Sequence, residues 1–225
     1  MMKKSLISLF VTLFLVLFSS GLNAQDQNKQ SEQLIKIETT MGDMVIKLYN
    51  ETPGHRDNML KLIEKDFFNK QLFHRVIDGF MIQGGDPHSV GAEKGQRLGG
   101  GGPGYTIPAE FNENLFHKKG ALAAAREGDE RNPEKASSGS QFYIVQGRVL
   151  SPEELNIMTQ RGMIKSKEAA RLYTTLGGTP HLDGSYTVFG EVVEGLEVLE
   201  RIASSATDAY NRPVEDVVFS ISLIR

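Results

Sequence analysis

The chain has 225 residues, a formal net charge of −3, 40% hydrophobic residues and no cysteine. Without cysteine there is no disulfide framework, so a packed apolar core has to hold the fold together, and a chain of this length can bury one. A mildly acidic chain also lacks the basic footprint of a nucleic-acid binder.

The first stretch is not expected to belong to the fold. Two lysines in Met1–Lys4 precede a nearly unbroken apolar run, Leu6–Phe18, and a short segment of mostly small and polar residues, Ser19–Ala24. Residues 1–24 therefore read as a secretory signal peptide cleaved after Ala24. The run is too short to span a bilayer comfortably; Leu22, three residues before the cut, keeps an uncleaved anchor as the competing reading. Removing 1–24 leaves 201 residues with a formal net charge of −5. Gln25–Gln33 is polar and reads as a flexible tether, with one folded domain expected over 34–225.

LIKIET and MVIKLY, within Leu34–Tyr49, alternate around Met41-Gly42-Asp43 and predict a hairpin. Thr52-Pro53 offers an N-cap and a proline for the first helical position, and Met59, Leu60, Leu62, Ile63 and Phe67 recur at helical spacing, predicting a helix over about 53–66. FHRVI, FMIQGG, GALAAA, SQFYIVQG, YTVFGEVV and VEDVVFSISLI read as short strands between glycines and prolines. Glu194–Ala203 supplies a second amphipathic helix. Many short strands without strand–helix alternation predict an antiparallel barrel or sandwich. Ser151-Pro152-Glu153-Glu154 is a capping signature, Gly162 stops its run, and Ser166–Leu176 reads as another helix ending at Gly177-Gly178. Together these predict a helical insertion over about 148–179.

Several motifs lead nowhere. KGQRLGGGGPG (94–104) fits a dinucleotide pattern trivially, but no apolar strand precedes it and Pro103 breaks a following helix, so it reads as a surface loop. The five histidines have no ligand spacing, so no metal is expected, and SSGSQF lacks the nucleophile-elbow pattern. Neither a cofactor nor a hydrolase is indicated. FHRVIDGFMIQGGDP (73–87) is more informative. Strand alternation puts Arg75 on one face with Phe73 and Ile77, and gives Met81 and Gln83 a common parity. Such a face suits an apolar ligand that also needs one strong donor and one amide hydrogen bond.

That block, with SGSQFYI (138–144) and HLDGSYTVFGEVVEG (181–195), resembles the cyclophilin-type peptidyl-prolyl cis-trans isomerases along nearly all of 34–225, apart from about 148–179. The resemblance implies a mainly β fold: a closed eight-stranded antiparallel barrel with an α-helix over each end, here with the helical insertion. It implies Arg75 and Gln83 as the catalytic pair, and a proline pocket of Phe80, Met81, Tyr143 and Leu182. Gln83 and Gln141 would hold the substrate backbone and orient the arginine. Ala125, Arg126 and Glu127 would meet the residue before proline, largely through backbone groups. His181 and Tyr186 complete the site; His181 stands where many members have tryptophan, which implies weak cyclosporin binding, and Tyr143 stands where phenylalanine is usual. The implied activity is isomerisation of X-Pro bonds in exported proteins, the alternative being a proline-directed binding module without turnover. The partners are then proline-containing polypeptides, and no nucleic acid or membrane span is expected after cleavage. The protein is expected in the periplasm or cell envelope, or secreted, with a monomer as the default. The insertion emerges near the pocket rim, where it would either select client segments or be a solvated elaboration.

Overall fold

The computed structural model describes residues 32–224. The expected leader and the tether up to residue 31 lie outside them, while Gln33, assigned to the tether, already pairs with Leu48. Strands β1 (Gln33–Thr39) and β2 (Gly42–Leu48) form the expected hairpin, closed by Thr40-Met41. Their alternation is explicit, because Ile35, Ile37, Met44, Ile46 and Leu48 are fully buried. Helix α1 (Pro53–Ile63) follows. Thr52 precedes it but its side chain makes no capping bond. The orphan donors are met instead by Glu110, which accepts from the Gly54 and His55 backbone N–H groups at 2.9 Å each.

The next strands are β3 (Gln71–Leu72), β4 (Arg75–Ile77), β5 (Met81–Gly84), β6 (Thr106–Ile107), β7 (Ala121–Ala124), β8 (Ser137–Ser138) and β9 (Phe142–Val145). Helices α2 (Pro152–Gln160) and α3 (Lys167–Thr175) come next, then β10 (Val188–Glu194), α4 (Leu196–Ala203) and β11 (Val218–Leu223). One nine-stranded antiparallel sheet runs in the order β3-β11-β1-β2-β10-β7-β9-β5-β4, and β6 pairs with β8 separately. Its edge strands, β3 and β4, are separated in the chain only by Phe73-His74. Counting them as two halves of one extended stretch gives eight staves, so the eight-stranded closed barrel is met in approximation, as a curled sheet whose ends are covalently continuous. Two further helices stand beside the expected pair, and both lie in the insertion.

The expected FHRVI strand is broken. The chain leaves β11 after Leu72, with Phe73 N–H still donating to Val217, and joins β5 only from Arg75. This change of partner rotates the backbone and shifts the side-chain alternation. Phe73 therefore packs in the barrel core against Phe142 and Phe219, and does not share a face with Arg75 as an unbroken strand requires.

The main core joins the inner sheet face to Met59, Leu62 and Ile63 of α1 and to Val198, Leu199 and Ile202 of α4. A second cluster covers the outer face of β5, β9 and β7: Met81, Tyr143, Val145, Ala121 and Ala123, with Phe80, Leu182 and Tyr186 packed on it. With both faces covered, β7 and β9 read as continuous apolar runs. The insertion folds as its caps predict. Ser151 and Glu154 form a reciprocal capping box on α2, and Ser166 caps α3 through the Ala169 N–H. Its small core is Leu150, Ile164, Ala169 and Tyr173.

Candidate active site

Register builds the site. Ala123 of β7 pairs with Tyr143 of β9, Tyr143 with Gln83 of β5, and Gln83 with Arg75 of β4. Directly opposed residues point to one face, so these four form a row across the outer sheet surface. Met81, two residues from Gln83, adds the apolar floor on that face. FHRVI and FMIQGG are thus antiparallel neighbours whose polar side chains meet by pairing.

A directional chain of hydrogen bonds aims the arginine. Arg75 Nη1 donates to Gln83 Oε1 at 3.1 Å, Gln83 Nε2 to Gln141 Oε1 at 3.0 Å, and Gln141 Nε2 to the carbonyls of Gly99 and Gly101 at 2.8 Å each. The two carbonyls can only accept, so they fix which end of each amide faces which neighbour. The glycine run is therefore more than a surface loop: it anchors the arginine at third hand. Buried Asp86 holds the loop by accepting from the Gly99 N–H. A Cβ at residue 101 would lie 2.1 Å from the Asp86 carboxylate, so this approach requires glycine.

Around the row lies a cavity of about 460 Å³, walled by Phe80, Met81, Tyr143, Leu182, Tyr186, Ala125 and Arg126, with Arg75 and Gln83 at its side. Burial lowers the Arg75 pKa from its ordinary value, but a guanidinium stays charged throughout the physiological range. Burial raises the Tyr143 hydroxyl well above the usual phenol, so it remains a donor. Among the described residues no group of three or more His, Cys, Asp or Glu side chains is placed to hold a metal ion.

Residues 34–222 match the family model for cyclophilin type peptidyl-prolyl cis-trans isomerases. The chain belongs to the cyclophilin-type peptidyl-prolyl cis-trans isomerase family. A putative peptidyl-prolyl cis-trans isomerase of Staphylococcus haemolyticus is 35% identical over 191 residues, 84% of this chain and 90% of that protein. One from Staphylococcus aureus strain COL is 36% identical over the same shares. The crystal structure of a Cryptosporidium parvum cyclophilin type isomerase shares the fold with a TM-score of 0.63 at 24% identity, covering 86% of this chain and 98% of that one. A second crystal structure of that isomerase, in the presence of the dipeptide Ala-Pro, superposes with a TM-score of 0.62.

The remaining cyclophilin residues fall around the row in different ways. Gln141 lies behind the cavity wall, within the amide chain. His181 stacks on Phe80 at 5.9 Å from the exposed side. Ala125 spends both backbone groups inside the fold, on Gln141 and Ser138. Arg126 folds over the Tyr186 ring at 4.4 Å and donates to Ser185, Glu127 and Asp129, so its side chain serves to brace the wall. Glu127 is exposed and does not line the cavity. Sequence reasoning missed the far wall, formed by His74, Gln96, Arg97, Leu98, Gly99, Asp208, Tyr210 and Arg212. Buried Arg212 ties these segments together, pairing with Asp216 and donating to the carbonyls of Ala92, Glu93 and Gln96. The insertion, expected near the rim, contributes no residue to this cavity.

Proposed function

We propose that the protein catalyses rotation about X-Pro peptide bonds, with Arg75 as the electrostatic catalyst and the cavity above Met81 as the proline seat. The observation that carries this reading is the state of Arg75. It is half-buried, forms no salt bridge among the described residues, and donates to one neutral amide. Its charge is thus left for a ligand.

The reaction needs no nucleophile. Amide resonance sets a barrier of about 18–20 kcal/mol, and unassisted isomerisation takes roughly 10–100 s. As the bond twists, the prolyl nitrogen regains its lone pair and becomes a hydrogen-bond acceptor, which it is not in the planar amide. A guanidinium aimed at that nitrogen binds the transition state better than the reactant. One such charge-assisted bond contributes about 1.5–3 kcal/mol, or roughly ten- to a hundred-fold in rate. The apolar cavity holds the ring while the acyl side turns. Gln83 keeps the guanidinium in register, and the Gly99 and Gly101 carbonyls hold Gln83 through Gln141.

The clients proposed are exported, proline-containing polypeptides, in the periplasm or cell envelope or outside the cell, handled by a monomer. The support is the leader-like sequence of 1–24. Sequencing the N-terminus of the fractionated protein checks it: a mature chain starting at Gln25 agrees, and an intact Met1 in the cytoplasm overturns the export reading.

The isomerase reading is tested on a proline-containing peptide and on a slow-refolding protein. Arg75→Ala is expected to lower kcat/KM about ten- to a hundred-fold with the fold intact. A wild type no faster than the spontaneous reaction leaves a binding module, and an Arg75→Ala variant as fast as wild type removes the mechanism.

A further inference from the structure

Behind Tyr143 runs a second chain of polar side chains, distinct from the one behind Arg75. Tyr143 Oη lies 3.0 Å from His117 Nε2, His117 Nδ1 lies 2.8 Å from Asp183 Oδ1, and Tyr173 Oη donates to Asp183 Oδ2 at 2.6 Å. The backbone N–H of His117 also donates to Asp183 Oδ1, at 2.9 Å. His117 and Tyr173 are fully buried and Tyr143 nearly so. A carboxylate only accepts, so Nδ1 carries the imidazole proton toward Asp183; Nε2 is then the acceptor for the Tyr143 hydroxyl. The imidazole stacks on the Tyr143 ring at 6.1 Å, and Tyr186 meets that ring edge-on at 6.0 Å. The Tyr143 ring is thus held by Tyr186 against the ring and by His117 at its hydroxyl.

The far end of this chain is in the insertion. Tyr173 lies on α3, whose C-terminal turn returns against the barrel through Gly178, where a Cβ would sit 2.2 Å from the His117 carbonyl. Thr179 N–H donates to that same carbonyl at 2.8 Å. The insertion does not reach the substrate cavity, yet the two relay members farthest from Tyr143 lie in it or just after it. Tyr173 is inside it, and Asp183 follows it by a few residues.

We propose that His117, Asp183 and Tyr173 are positioning residues that set the Tyr143 wall of the proline seat, and that this makes the insertion part of substrate binding from behind. The inference rests on the isomerase reading for its substrate class. It specifies which kinetic constant moves. The proline ring stays in its seat while the acyl side rotates, so contact with Tyr143 is the same in reactant and transition state. Losing a uniform contact raises KM and leaves kcat unchanged, whereas losing Arg75 lowers kcat.

The test compares Tyr173→Phe and His117→Leu with wild type in steady-state isomerisation of a short proline peptide. The dissociation constant of that peptide is measured in parallel. Each variant is expected to raise KM and the dissociation constant about three- to ten-fold with kcat unchanged. His117→Gln, which keeps an acceptor and a donor, is expected to recover part of that loss. Glu154→Ala, which removes the α2 capping box in the insertion and lies outside the relay, is expected to lower the melting temperature without moving KM. Unchanged KM in both relay variants, or an equal rise in Glu154→Ala, overturns the inference. Tyr173→Phe keeps the packing of the ring and serves where His117→Leu does not fold. The dissociation constants still decide the relay if turnover is absent in wild type, which would sink only the isomerase reading.

Discussion

The two faces of β5, β9 and β7 carry opposite kinds of order. Inside the barrel, Ile82, Phe142, Ile144 and Leu122 interlock by shape, with Phe142 meeting Phe68, Phe73 and Phe219. Outside, one residue along each strand, Gln83 and Tyr143 are held by directional bonds that end on backbone carbonyls or on a carboxylate. One face is specified by volume and the other by donors and acceptors. The same backbone can therefore be stiff for stability and separately tuned for ligand contact.

The largest expected effect tests the inner face. Phe142→Ala should destabilise the fold by about 3–5 kcal/mol, because the ring's neighbours cannot collapse into the space. Chemical denaturation measures this, and kcat/KM of the molecules that remain folded should change little. A comparable loss of kcat/KM would mean that the faces are not separable.

A smaller effect lies at the point where the chain passes from one face to the other. Burial holds the His74 imidazole at about 4, below its ordinary value. The folded state therefore binds fewer protons than the unfolded chain between about pH 6.5 and 4. Stability from this group is complete above that window and falls as acid is added. By about pH 4.5 the loss is about 2–3 kcal/mol, and His74→Leu should abolish this part of the acid sensitivity. Denaturation midpoints at about pH 7.5, above the window, and at about pH 4.5, with and without the substitution, measure the difference.

The smallest effect tests the outer face. Gln141→Leu removes the acceptor for Gln83 and the donor to Gly99 and Gly101, leaving Arg75 on a free-swinging amide. A drop in kcat/KM of about three- to ten-fold is expected, with stability changed far less than by Phe142→Ala. A large stability loss without a kinetic one would place Gln141 in the structural class instead.

Legibility in the sequence follows the same division. The hairpin, α1, α4 and the capped insertion helices are written in local spacing, and the structure has them within a few residues. Arg75, Phe80, Met81 and Gln83 are legible because one short block carries two paired strands. The break at Phe73-His74 is not, since it arises where a strand changes partner, and partners are remote in sequence. The glycine run hides its role for a different reason: it acts through carbonyl oxygens, which every residue type has. His117 and Asp183 are 66 residues apart, and neither has a spacing that announces the other. Glu110 capping α1 across 55 residues is the same kind of silence.

The closure of the sheet has a further consequence for a protein whose proposed clients are extended chains. An open sheet edge offers unpaired N–H and carbonyl groups on which a passing strand can be added. Here the edges are strands of two and three residues, consecutive in the chain, so there is almost no template to extend. Clients can then be gripped at the proline by side chains and released, with little risk that their backbones are zipped onto the barrel itself.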